Sequence, residues 1–292
     1  MRRAMLAGLL CATMVGSAHA QQRWWADVER ALGRAGAEQP DGVVRFSFPR
    51  SDLRVTVDGV QLRPALALGS WLAFRRVDER TAMAMGDLVL TDDEVAPVIS
   101  RLQQGGVQQT AVHNHLLRES PRVMYVHVDA HGDPARIAET VRAALALTRT
   151  PLGPPPATPA AAPIDLDTGA VARALGRSGR VNGGVYQVSV PRAELIREAG
   201  HEIPPTMGVA TAINFQPTGA GRAAVTGDFV MTAGEVNLVI RALRDNGIEV
   251  TALHSHLLGE EPRLYFMHFW ANDDAVKLAR GLRAALSQMR VR

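Results

Sequence analysis

Six of the nine histidines in this 292-residue chain come as two spaced sets. His113, His115 and His127 recur as His254, His256 and His268, each 141 positions further on. Of the remaining three, His19 lies near the start, and His131 and His201 have no counterpart. On an extended strand, residues two apart point to the same face, so His-x-His presents both rings together. If the next strand returns as a hairpin, the third histidine of a set lies across from the first two. Three neutral imidazoles with one oxygen ligand suit zinc, and also copper, iron or nickel. Asp87, Glu119, Asp228 and Glu260 are the second-tier ligands or general bases, and water is the other oxygen donor. A metal-bound water would be deprotonated near neutrality, which is the chemistry of a hydrolase. The expectation is one divalent-metal site per copy, zinc first.

The histidines belong to a longer duplication. Thr110-Ala-Val-His-Asn-His-Leu-Leu117 matches Thr251-Ala-Leu-His-Ser-His-Leu-Leu258. Pro121-Arg122 matches Pro262-Arg263, Gly86-Asp87 matches Gly227-Asp228, and Pro49-Arg50 matches Pro191-Arg192. The period is too long for a solenoid, so each copy is domain-sized. The expected boundaries are a signal peptide over 1–20, a first repeat over 21–148, a Pro/Ala-rich linker over 149–164 and a second repeat over 165–292. Proline removes backbone donors and fixes φ, so the linker reads as an extended spacer.

Within each copy the elements that must position the histidines can be read from periodicity. A short helix comes first (Trp24–Leu32; Gly169–Leu175), then β-runs such as Val43–Phe48 and Val185–Val190. A strand ends near Leu90 or Met231. A helix follows with a capping box, Thr91-Asp-Asp-Glu94 or Thr232-Ala-Gly-Glu235. Pro97 is expected to kink the first of these. The histidine strand, a Pro-Arg turn, a returning strand and a last helix from Asp133-Pro134 or Asp273 complete the unit. The order predicts an α+β fold: two tandem antiparallel sheets, each with helices on one face, of ferredoxin-like character. The rows Met124/Val126/Val128 and Tyr265/Met267/Phe269 face the helices. Tyr125 with His127, and Phe266 and Trp270 with His268, face away, as do Asp87 and Asp228.

Composition narrows the rest. The formal charge is +3, and without Arg2 and Arg3 the balance is 30 basic against 29 acidic side chains. The high pI reflects 31 arginines against one lysine, Lys277, and not a basic patch, so no nucleic-acid partner is expected. Arg2-Arg3, an apolar Met5–Val15 run and Ala18-His19-Ala20 form the n, h and c regions of a secretory signal, which places the protein in the periplasm or outside the cell. The lone cysteine, Cys11, lies inside that segment. No later apolar run is long enough to span a bilayer.

The T-A-[VL]-H-[NS]-H-L-L…P-R…H block resembles the LppY/LpqO family of bacterial exported proteins and lipoproteins, over nearly all of both copies. The resemblance implies an extracytoplasmic location and brings no activity with it. A lipobox cysteine is missing here. His113-x-His115-x3-Glu119 and His254-x-His256-x3-Glu260 also resemble the first metal motif of cupins. The flanking helical patterns and the displaced glycines, Gly106 and Gly247, set the chain apart from that all-β fold.

Three functional classes stay open: a metal-binding or carrier protein, a metal-dependent hydrolase on an envelope or extracellular substrate, and a metal-free envelope interaction module. In the hydrolase, Arg122 and Arg263 hold an anionic substrate group; their other reading pairs them with Glu119 and Glu260. The competing reading of the histidines makes them hydrogen-bonded groups in the contact between the two copies. Asp87 and Asp228 have a competing reading too, as turn or bulge residues after glycine.

Overall fold

The computed structural model describes residues 24–153 and 163–292. The signal-peptide segment and the centre of the linker lie outside these residues. The first repeat runs α1 (24–32), β1 (Ala37–Glu38), β2 (Val43–Pro49), β3 (Thr56–Val57), β4 (Val60–Gln61), α2 (Pro64–Ala67), β5 (Gly69–Arg76), β6 (Ala82–Thr91), α3 (Asp92–Gln104), β7 (Gln108–His113), β8 (Val123–Gly132) and α4 (Pro134–Leu145). The second runs α5 (Thr168–Leu175), β9 (Arg180–Asn182), β10 (Val185–Pro191), β11 (Ile196–Glu198), β12 (His201–Ile203), β13 (Ala210–Gly219), β14 (Arg222–Met231), α6 (Ala233–Asp245), β15 (Glu249–His254), β16 (Tyr265–Asp274) and α7 (Ala275–Leu286).

Each repeat builds one six-stranded antiparallel sheet, in the orders β1-β2-β5-β6-β8-β7 and β15-β16-β14-β13-β10-β9. The unit β6-α3-β7-β8-α4 places β8 between β6 and β7, the arrangement of a split β-α-β sandwich. The strand beside β6 is β5, supplied from the N-terminal side. Local signals set the helix starts. Thr91 and Thr232 form reciprocal capping boxes with Glu94 and Glu235. Asp133 caps α4 ahead of Pro134, and Asp274, one residue beyond the expected start, caps α7. Pro97 does not break α3: it sits on the exposed side of the helix, where water can take over the carbonyl that the missing N–H leaves free.

The sheets are apolar on both faces, and that fixes the architecture. One face packs on the helices: Leu88, Leu90, Val126 and Val128 join Val98, Leu102, Val141 and Trp25 in one core, and Phe229, Met231, Met267 and Phe269 join Val239, Leu243 and Leu282 in the other. The opposite faces meet each other. One mixed cluster joins Val43, Met83 and Met85 of the first repeat to Ile196, Met207, Leu257, Leu264 and Phe266 of the second. Its pseudo-equivalent joins Val185, Ala224 and Trp270 to Val55, Leu66, Leu116, Val123 and Tyr125. The result is four layers, helix–sheet–sheet–helix, with a two-fold pseudo-symmetry. Each repeat also lends an arm to the other. Gln216 of β13 accepts from the Arg63 N–H and donates to the Gln61 carbonyl, and Gln187 of β10 donates to the Ala65 carbonyl.

Candidate metal centre between the repeats

The histidine strands end sooner than the alternation argument expects. β7 and β15 stop at His113 and His254, and His115 and His256 lie just beyond, in the turns. Those turns bring the rings back over the open face of the sheet, where His115 stacks on Tyr125 and His256 on Phe266. His127 lies opposite Ala111 and Asp87 in the register, and His268 opposite Ala252 and Asp228. Asp87 and Asp228 are therefore mid-strand residues, not turn residues. The glycines before them allow close approach of the neighbouring strand: a Cβ on Gly86 would lie 2.5 Å from the Trp71 carbonyl oxygen.

Because the two open faces meet, the two sets of histidines lie in one layer. His113 stacks on His254, ring centroids 3.7 Å apart. His115 stacks on His268 at 3.7 Å and His127 on His256 at 3.8 Å, which are pseudo-symmetric contacts. Ligand atoms of His113, His115 and His127 lie within 4.8 Å of one another. The histidines of repeat two group with those of repeat one: His254 and His268 with His113, and His254 and His256 with His127. Three nitrogens around a tetrahedral zinc sit about 3.3 Å apart, so these sets need only small closing movements to share an ion.

Hydrogen bonding at the outer ring nitrogens prepares the inner ones. His113, His256 and His268 each donate from Nδ1 to a backbone carbonyl, those of Asn114, Gly208 and Gly227. A carbonyl only accepts, so Nδ1 carries the proton and Nε2 keeps its lone pair. Gly208 holds its carbonyl there in a left-handed conformation, φ 90°, with a Cβ excluded by the Trp71 ring 2.7 Å away. All six histidines have a buried Nε2 with no hydrogen-bond partner, and Oδ1 of Asp87 and of Asp228 is in the same state. Asp87 lies 3.4 Å from His115 Nε2 and 4.0 Å from His127 Nε2. Asp228 Oδ2 approaches His256 Nε2 to 3.0 Å, but out of hydrogen-bond alignment.

Burial first, then the neighbouring imidazoles, hold His115 and His254 well below the usual histidine range. For His127 burial and His256 outweigh the pull of Asp87. Burial takes His256 down to about 3 and His268 to about 4, each partly offset by an aspartate. Burial pushes Asp228 up to about 6. These five rings are thus neutral at physiological pH, which is the form that binds metals.

The other expected residues lie around this layer. Glu119 and Glu260 join none of the close ligand groups. Glu119 has one buried oxygen without a partner, and burial pushes it up to about 8. Glu260 instead accepts from the Leu264 N–H at 2.8 Å and faces Arg263 at 3.3 Å. Arg122 is exposed, with Nε 3.8 Å from Asp92 rather than on Glu119. Thr110 and Thr251 went unrecognised in the sequence. A bulge in each of β7 and β15 turns them into the seam, where their hydroxyls donate to the His256 and His115 carbonyls of the opposite repeat. Their only sequence signal is their place in the repeated block.

The chain belongs to the family described as Domain of Unknown Function (DUF1259), whose profile matches twice, over residues 26–147 and 169–288. No curated protein matches the chain. Among solved structures it is similar to a trimeric bacterial microcompartment shell protein, PduB (12% identity, 87% of this chain and 89% of that one, TM-score 0.25). It is also similar to EtuB from Clostridium kluyveri (11% identity, 86% and 90%, TM-score 0.19). No helix among the described residues is long and apolar enough to cross a membrane.

Proposed function

We propose that this chain is an exported metal-binding protein with one composite centre, in which both repeats supply imidazoles to a divalent transition metal, zinc first and copper, iron or nickel as alternatives. The observation that carries this reading is the set of six inward Nε2 atoms, all buried and all without a partner. Nearly all buried polar groups in native proteins are hydrogen-bonded, so a convergent group of unpaired ring nitrogens points to an ion. The LppY/LpqO resemblance and the signal-like N-terminus support export. Burial of the rings between two apolar clusters favours holding a metal over turning over a substrate. In the hydrolase alternative, Glu119 is the proton-transfer group and Arg122 and Arg263 receive an anionic ligand.

Elemental analysis of mature protein purified without an affinity tag tests the proposal. About one or two equivalents of metal per chain are expected, lost in the His113→Ala/His254→Ala variant. No metal in the wild type after zinc loading, or unchanged content in that variant, would leave the metal-free interaction module.

A further inference from the structure

The seam between the repeats carries a second polar group, which the internal symmetry does not repeat. Asp129 and His131 lie on β8 of the first repeat, and Glu198 ends β11 of the second. One ligand atom from each lies within 4.8 Å of the other two. His131 Nε2 is 3.9 Å from Asp129 Oδ2. Asp129 is only 7% exposed. Its Oδ1 and Glu198 Oε2 are buried without a hydrogen-bond partner. Among the described residues, no lysine or arginine forms an ion pair with either carboxylate. His201 pairs with Glu198 across the β11–β12 hairpin and stands at the rim, its ring 6.3 Å from that of His131.

The opposite end of the seam shows what this position otherwise contains. The bridges Thr56–Ser120 and Arg197–Glu261 are equivalent, so Val57 stands where Glu198 does. The 141-residue period places Trp270 at Asp129 and Asn272 at His131. There the seam is filled by an apolar plug: Val57 and Trp270 share one buried cluster, and the indole N–H donates to Asp58. At the Asp129 end, two carboxylates converge in the same kind of place without a counter-charge. Leaving such groups unpaired is costly, whereas a cation would neutralise and coordinate them together.

We infer that Asp129, His131 and Glu198 form a second divalent-cation site, distinct from the histidine layer and present at only one end of the seam. Two carboxylates and one imidazole accept first-row ions, including Mn²⁺, which an all-imidazole set holds less well. Mn²⁺ therefore separates the two sites.

The test is titration of the tag-free mature protein with Mn²⁺, followed by loss of the free-ion electron paramagnetic resonance signal. One Mn²⁺ per chain is expected. His131→Ala removes a partly exposed ring, and Glu198→Gln keeps the side-chain volume; circular dichroism checks that both are folded. Each should weaken Mn²⁺ binding at least about tenfold, since losing even an outer-sphere partner costs that much. His113→Ala/His254→Ala should leave Mn²⁺ binding unchanged while removing zinc from the other centre. The inference is overturned if the wild type binds no Mn²⁺ at millimolar concentration. It is also overturned if Mn²⁺ binding survives both His131→Ala and Glu198→Gln, or disappears with the His113/His254 pair.

Discussion

Two kinds of buried polar cluster recur in both repeats, and they are satisfied to very different degrees. Arg50 is fully buried, and its guanidinium donates to Asp52, to both oxygens of Glu94 and to the Val89 carbonyl. Arg192 does the same with Glu194, Glu235 and the Val230 carbonyl. The glutamates also accept from the backbone N–H groups of Thr91 and Arg149, or of Thr232 and Arg290. Each such cluster ties the start of a helix to the segment that follows the last helix of its repeat. In the histidine layer three rings are buried and three partly buried, yet every one of its Nε2 atoms is buried and unpaired within the protein. A polar cluster complete in itself is a structural fastener; one left incomplete around a shared point is a place for something else.

The largest effect expected from this contrast is on the fasteners. Glu94→Ala leaves the Arg50 guanidinium buried without its main counter-charge, so unfolding free energy should fall by about 3–5 kcal/mol. Urea denaturation measures it, and Glu235→Ala should behave alike. A loss below about 1 kcal/mol for both would mean that the arginine is not confined as described.

The histidine layer should respond in the opposite sense, depending on metal. In chelator-treated protein, His254→Leu removes two unpartnered buried nitrogens and should be neutral or stabilising, by up to about 1–2 kcal/mol. In zinc-loaded protein the same change should destabilise, because binding only the folded state adds about 4 kcal/mol at a thousandfold excess over the dissociation constant. Thermal melts of both forms with and without zinc measure the reversal. A variant equally destabilised in both forms would mark the ring as a packing element.

Acid titration sharpens the comparison further. Burial raises the Glu94 carboxyl, but hydrogen bonds from Arg50 and from the Arg149 and Thr91 N–H groups outweigh it, so it lies below the usual carboxylate range. Glu235 is lowered in the same way by Arg192 and by the Thr232 and Arg290 N–H groups. A carboxyl lowered by folding contributes its stabilisation in full above the unfolded-state pKa of about 4.3, and that contribution is lost as pH falls through the lower folded value. Stability of the wild type should thus drop below about pH 4 more steeply than that of Glu94→Gln, as urea midpoints across pH would show. The smallest effect is expected at the surface: Arg122→Ala should shift stability by less than about 0.5 kcal/mol.

Much of this was legible in the sequence. The capping boxes, Asp133-Pro134 and the alternating rows on β8 and β16 are local signals, and they give the elements and the two sheet faces. The identity of the six histidines was legible from the duplication. Their convergence into one layer was not, because it depends on which surface covers the open sheet faces. That surface is the other repeat, matched through rows such as Met83/Met85 against Phe266. The turns carrying His115 and His256, and the bulges that redirect Thr110 and Thr251, break the strand alternation from which a sequence argument starts. The Arg50–Glu94 pair spans 44 residues and had only the repeated Pro-Arg as its trace.

The most direct test of the shared centre is anomalous X-ray diffraction at the zinc edge from crystals of the zinc-loaded protein. The account expects anomalous density between the repeats, within bonding distance of Nε2 atoms from both histidine sets. Density confined to one repeat's own histidines, or none beside the His113–His254 pair while each Nε2 is hydrogen-bonded to water, would contradict it.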